Sequence, residues 1–318
     1  MNTPKILITG GAGFIGSNLI DALINQYQIV NVDDFNDFYD PALKEKNIAS
    51  HLSSPNYTLC RVDINDFQSL GEVFAHHQFD QVIHLAARAG VRPSIENPLV
   101  YAQTNITGTL NLLELIKKHQ IKKIIFASSS SVYGNHPAEK FSEDLNLSQP
   151  ISPYAATKLA AEQLIYTYAH LYQFQALCLR FFTVYGPRQR PDLAINKFIS
   201  LINQNQAIPV FGDGSTIRDY TYIDDIVSGI IAAMEYNSSH YEIINLGGGS
   251  PVTLSQMIAT IEQAMNKKAL INHLPPQAGD VDRTAADINK ARNLLSYAPA
   301  TSFTQGIKQY LAWRAQQI

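Results

Sequence analysis

Cysteine is scarce in this chain: two in 318 residues, Cys60 and Cys178, each in its own apolar run with no Cys or His partner at metal-ligand spacing. That excludes a disulfide framework and a cysteine-built metal site, so both are read as small buried hydrophobes. Charge is sparse too. Only 16% of residues are charged, 24 basic against 27 acidic for a formal net charge of −3. This count does not supply the clustered Lys and Arg that a nucleic acid or anionic membrane partner would need. No run of 18 apolar residues occurs, and Met1 to Lys5 leads straight into a strand without the basic and apolar regions of a secretory leader. A cytoplasmic protein without metal ligands is expected, and neither a repeat nor a low-complexity segment interrupts it.

Apolar residues are plentiful at 46%, with 10% aromatics, enough for a large core in one big or two smaller domains. Strand-length runs at Lys5–Thr9, Ile29–Val32, Tyr57–Arg61, Gln81–Leu85, Lys123–Ala127 and Ala176–Leu179 alternate with helix-period segments. Continuous Val/Ile/Leu strands joined by helices predict a doubly wound parallel sheet of the Rossmann kind, covered on both faces. After Arg180 prolines break the rhythm, which predicts a smaller α/β substrate-binding domain toward the C-terminus. A helix near Ile223–Glu235 followed by an apolar strand at Glu242–Leu246 looks like one more unit of the large sheet. The division expected is therefore discontinuous: residues 1–182 and 219–250 in one domain, 183–218 and 251–318 in the other.

The first strand runs into Gly10-Gly11-Ala12-Gly13-Phe14-Ile15-Gly16 and then a helix, so the glycines sit where a pyrophosphate can approach backbone N–H groups. Asp33 closes the second strand 23 residues after Gly10, a spacing that suits a carboxylate on ribose hydroxyls. Asp33 would repel a 2′-phosphate and no Arg stands beside it, which favours NAD over NADP. Asp63 and Ile64 after the third strand are candidates to border the adenine, although Asp63 equally suits a loop cap. Leu85, Ala86 and Ala87 after the fourth strand are small enough to let a cofactor lie close.

The fifth strand leads into Ser128-Ser129-Ser130-Ser131, at the sheet edge where ligands of such folds bind. Tyr154 and Lys158 follow at i,i+4 behind Ser152 and Pro153, a cap and a first-turn residue, which puts phenol and ammonium on one helix face. A tyrosine is a poor base at neutral pH unless a cation lies close, and Lys158 is the expected cation. The spacing alone is weak evidence; its position after a hydroxyl cluster strengthens it. His84 reads as a hydrogen-bonded core histidine.

Taken together, the glycine turn, Asp33, His84-Leu85-Ala86-Ala87, Asn105, Ser129, Tyr154/Lys158 and Gly212-Asp213-Gly214 with Arg218-Asp219-Tyr220 resemble an extended short-chain dehydrogenase/reductase of the nucleotide-sugar epimerase and dehydratase group. The resemblance covers nearly the whole chain. Within the group the stretches Asn36–Pro41, Ala87–Ser94 and Tyr185–Asp192 are most similar to the UDP-glucuronate 4-epimerase family. That resemblance implies NAD-dependent epimerisation at C4 of a UDP-sugar through a 4-keto intermediate, from UDP-glucuronate to UDP-galacturonate. Tyr154 would act as base, Ser129 on the same oxygen, and Lys158 on the ribose and the tyrosine. It also implies a carboxylate site at Ser129, Ser130, Ser131, Thr183 and Arg190, and nucleotide contacts at Asn196, Arg218, Gln277 and Asp280. Asn105 would brace the active-site backbone, and the implied assembly is a homodimer packed through helices starting near Ser94 and Ser152.

Other readings stay open. UDP-glucose or UDP-N-acetylglucosamine are alternative substrates. A 4,6-dehydratase or uronate decarboxylase would share the first hundred residues, but those relatives carry an acid at the fifth-strand turn, where this chain offers hydroxyls. A non-catalytic NAD-sensing protein on the same fold would not need Ser129, Tyr154 and Lys158 together.

Overall fold

Strands that are apolar on both sides must be covered on both sides. In β1 (Lys5–Thr9), Ile6 and Ile8 enter one buried cluster and Leu7 the other, each fully shielded from solvent. The computed structural model describes residues 3–275 and 281–317. Within them follow β2 (Gln28–Val32), β3 (Tyr57–Cys60), β4 (Gln81–His84), β5 (Lys123–Ser129), β6 (Gln175–Phe181), β7 (Thr183–Tyr185), β8 (Ala207–Phe211), β9 (Ile217–Arg218), β10 (Tyr220–Tyr222), β11 (Tyr241–Leu246), β12 (Val252–Thr253) and β13 (Leu270–Leu274). Seven of these form one parallel sheet in the order β11-β6-β5-β4-β1-β2-β3. The chain winds outward from β1 in both directions, so a crevice opens at the carboxyl ends of β1 and β4. The fold is the doubly wound Rossmann type with a smaller C-terminal α/β part.

The helices are α1 (Phe14–Leu23), α2 (Pro41–Ile48), α3 (Phe67–His76), α4 (Val91–Glu96), α5 (Pro98–Ala102), α6 (Thr109–Lys118), α7 (Pro153–Tyr172), α8 (Ala194–Asn203), α9 (Ile223–Glu235), α10 (Leu254–Met265), α11 (Asn289–Leu295) and α12 (Phe303–Ala315). A widened π-type turn, Gln103–Gly108, separates α5 from α6. Ser152 caps α7 by accepting from the Ala155 N–H at 3.1 Å, with Pro153 in the first turn, and α7 stops at Gln173 in the left-handed conformation.

Three differences from the sequence reading bear on the site. β5 runs two residues further than expected, because its ladder with β6 continues to Ser129 opposite Phe181, so Ser128 and Ser129 are strand residues. Cys60 is half-exposed, since β3 is the edge of the sheet, whereas Cys178 is buried. α9 does return the chain to the large sheet, where β11 pairs with β6, but β7 and β10 pair with each other beside it. β8 with β13 and β9 with β12 make two further small ladders.

Candidate active site

The crevice is a cleft of about 360 Å³, and Gly10, Gly13, Phe14, Ile15, Gly16, Asp33, Asp63, Ile64, Leu85, Ala86 and Ala87 all line it. Gly10 has φ +74°, and a side chain there would press on the Ala86 backbone at 2.7 Å; one at Gly16 would collide with the Gly10 carbonyl. The turn is held from β2. Asn31 Oδ1 accepts from the Gly11 N–H at 2.9 Å and Asp33 Oδ2 from the Ala12 N–H at 3.0 Å. Gly13 gives α1 no side-chain cap, which suits first-turn N–H groups meant for an anionic ligand. Burial pushes the Asp33 carboxyl up, while the Phe35 and Ala12 N–H groups and the Lys44 charge pull it down. Asp63 caps its own loop through the Asn65 N–H at 2.9 Å as well as lining the cleft. These glycines and a buried carboxylate between them fit a dinucleotide.

Tyr154, Lys158, Ser129, Ser130 and Ser131 line the same cleft at the β5 side. The Ser129 hydroxyl acts on the Tyr154 phenol, and its Oγ donates to Ser131 Oγ at 3.1 Å. Burial raises the Tyr154 pKa, and the groups that oppose burial are Ser129 and the Arg190 guanidinium. Lys158, the cation expected from the sequence, is not among them. The Lys158 ammonium turns instead to the Ala127 carbonyl, 2.8 Å away, and lies 4.7 Å from the centre of the Phe126 ring. Being buried, it is pushed down to about 7.

Behind the site Ser128 donates to Glu162 Oε1 at 2.5 Å, so that hydroxyl is already committed. Arg180 grips the same carboxylate twice, at 2.9 and 2.7 Å, and extends to Tyr133 and Asn245. Asn105 links the loop after β4 to α7: its amide contacts the Arg88 N–H and C=O and the Thr157 hydroxyl at 2.8–3.0 Å. His84 lies between Thr9 and Thr109 hydroxyls and burial takes it down to about 3, so it stays neutral.

A second cavity of about 320 Å³ adjoins the cleft, with Thr183 and Arg190 lining both and Arg218, Lys197 and Phe198 lining the second. Asn196 is not brought to either. Its amide N–H bonds the Gln189 carbonyl at 2.7 Å and its oxygen faces Arg314, because α8 turns that position toward α12. Gln277 and Asp280 lie outside the described residues. Sequence reasoning missed Phe38, over whose ring sit the Arg190 guanidinium at 5.1 Å and that of Arg88 at 5.9 Å. It also missed Asn31, for which a buried amide inside an otherwise apolar strand was an available signal.

The sequence profile described as GDP-mannose 4,6 dehydratase matches residues 7–310. A UDP-glucuronate 4-epimerase of Thermodesulfobacterium geofontis is 46% identical over 98% of this chain and 96% of its own length. The solved structure of UDP-glucuronic acid 4-epimerase from Bacillus cereus, in complex with UDP-glucuronic acid and NAD, superposes with a TM-score of 0.93 at 38% identity, covering 99% of this chain and 100% of the other. A UDP-glucose 4-epimerase of Thermotoga maritima bound to UDP-glucose gives a TM-score of 0.91 at 32% identity over 98% and 99% of the two chains.

Proposed function

The chain belongs to the GDP-mannose 4,6 dehydratase family, within the short-chain dehydrogenases/reductases, and from that premise we propose that it is a UDP-glucuronate 4-epimerase. It performs NAD-dependent C4 epimerisation of a UDP-sugar. NAD, when bound, supplies the acceptor for a hydride from C4 and returns it. The residues suited to hold it are the glycine turn, Asp33, Leu85–Ala87 and Lys158.

The chain's own groups do the rest. Tyr154, as phenolate, takes the proton of the O4 hydroxyl, and Ser129, which lines the cleft with it, holds the same oxygen. Arg190 lowers the tyrosine's pKa from across the cleft. Asn105 keeps the Arg88 loop and α7 in register, so the phenol does not drift from its hydroxyl partner. Turning the 4-keto sugar about its phosphate linkage exposes its opposite face, and Tyr154 then returns the proton.

The observation that carries the choice of a uronate is Arg190. Its guanidinium, 14% exposed, lines both cavities with Thr183, and the serines of the β5 turn line the first of them. A planar fork with hydroxyls around it matches a carboxylate and mismatches a hydroxymethyl group. A dehydratase needs an acid near Tyr154; the carboxylates lining the cleft, Asp33, Asp34 and Asp63, stand after β2 and β3 instead. The test is to incubate the protein with UDP-glucuronate, UDP-glucose and UDP-N-acetylglucosamine and separate the products. UDP-galacturonate from the first, well ahead of turnover of the others, is expected; equal turnover of all three would reject the uronate assignment.

Residues 1–182 and 219–250 form the cofactor domain and 183–218 with 251–318 the nucleotide-sugar domain in this reading, with Arg218 on the diphosphate. The protein is a cytoplasmic homodimer. Exposed apolar residues on α4, α5 and α7, Leu99 at 80% and Leu171 at 59% among them, support a subunit contact there. Two free cysteines suit a reducing compartment. Among the described residues no helix is long and apolar enough to cross a membrane.

A further inference from the structure

The two ends of the Arg190–Asp192 ion pair live in unlike surroundings. The guanidinium is 14% exposed and stacked on Phe38, whereas the carboxylate is 47% exposed. Both hydrogen bonds are well formed, Nε to Oδ1 at 3.0 Å and a terminal NH₂ to Oδ2 at 2.8 Å. Asp192 therefore occupies the two-pronged donor edge that a substrate carboxylate would use. Only Pro191 separates the partners, so the pairing is made within one short loop.

We propose that Asp192 is a built-in stand-in for the substrate's C6 carboxylate, holding the Arg190 fork until a uronate displaces it into solvent. The inference rests on the reading of Arg190 as the uronate's anchor. Its physical basis is the asymmetry of the pair. A largely buried guanidinium is strongly disfavoured without an anion, whereas a half-exposed carboxylate rehydrates with little loss. A uronate restores an anion to Arg190 and so can complete the exchange. A neutral hydroxymethyl group cannot, and it leaves the pair closed. Asp192 thus sets a threshold, since only an anionic C6 group opens the pair. That threshold also weakens uronate binding, because part of the interaction goes into opening the pair.

The test is calorimetric binding of UDP-glucuronate and UDP-glucose to NAD-loaded wild type, Asp192→Asn and Asp192→Ala, with KM measured in parallel. Asp192→Asn should bind the uronate about 3- to 10-fold more tightly, the range expected for removing a partly exposed internal competitor. Binding of UDP-glucose should not tighten, so the preference widens, and Asp192→Ala should agree. Thermal melting and NAD content show whether each variant is folded; the exposed position of Asp192 makes loss of fold unexpected. Weaker uronate binding in both variants would overturn the proposal, since Asp192 would then be positioning Arg190. So would equal shifts for both sugars, or no shift. If wild type shows no preference for the uronate, the proposed function fails; if it shows the preference and the variants share it unchanged, only this inference does.

Discussion

Lys158, one helical turn from Tyr154, donates to the carbonyl oxygen of Ala127 at 2.8 Å, on the β5 residue just before the serine cluster. The ammonium therefore ties α7 to β5, and the cation acting on the phenol is Arg190, from a loop more than thirty residues further along the chain.

Burial takes Lys158 from 10.5 down to about 7. Between those values the unfolded chain binds a proton that the native chain does not, so stability rises with pH across the window. The penalty is complete below about 7 and gone above about 10.5. The melting temperature of NAD-stripped protein should therefore climb from pH 7 to 10, and Lys158→Met should melt higher at pH 7 and flatten the climb. Lys123, held down to about 8 by burial, leaves a residual slope. A variant with the wild-type slope would refute the assignment.

Tyr154→Phe removes only the oxygen that accepts the proton, so turnover should fall nearly to nothing while UDP-sugar and NAD still bind. Ser129→Ala should lower kcat less, on the order of 10²-fold, because other hydroxyls remain beside the phenol. Rapid-quench product analysis alongside binding measurements separates the two effects.

Arg190→Ala should reduce kcat/KM for UDP-glucuronate by roughly 2–4 kcal/mol of transition-state stabilisation, as for one partner of a desolvated charged pair. It should also raise the share of decarboxylated pentose product, since a 4-ketouronate is a β-keto acid whose carboxylate must be held out of line with the ketone. The guanidinium lowers the Tyr154 pKa, so its loss should move the rising limb of the pH–rate profile to higher pH. An unchanged limb would separate the electrostatic role from the binding one.

Asp33 is hydrogen-bonded to the glycine turn and to the Phe35 N–H at 3.0 Å. Asp33→Arg should weaken NAD retention by more than the tenfold to hundredfold expected for one charged hydrogen bond, about 1.5–3 kcal/mol, because the turn loses its brace as well as the ribose its acceptor. NAD released on denaturing equal amounts of each protein gives the measure.

Glu162 is fully buried and bound by Arg180 and Ser128. Glu162→Gln leaves the Arg180 charge without a carboxylate and should lower stability by about 3–5 kcal/mol, read from denaturant midpoints. Replacing both partners by apolar residues should recover much of that loss.

Much of this molecule was legible from local pattern. Glycines that tolerate positive φ and close approach, apolar runs of strand length, and a Ser-Pro start to α7 are dictated within a few residues, because each answers to backbone sterics or to the local hydrogen-bond needs of one element. The cofactor turn and the Ser129, Tyr154, Lys158 set were therefore readable without coordinates. Side-chain direction across the cleft was not. Whether Lys158 or Arg190 acts on Tyr154, whether Asn196 faces ligand or Arg314, and whether Arg190 meets Asp192 all depend on how loops from distant parts of the chain pack over the sheet's carboxyl edge. Coulomb and hydrogen-bond energies change over a few ångströms, a scale that sequence spacing does not resolve once the partners come from separate elements. The i,i+4 rule placed phenol and ammonium on one face of α7; only the position of β5 beneath that face decided that the ammonium would turn to Ala127.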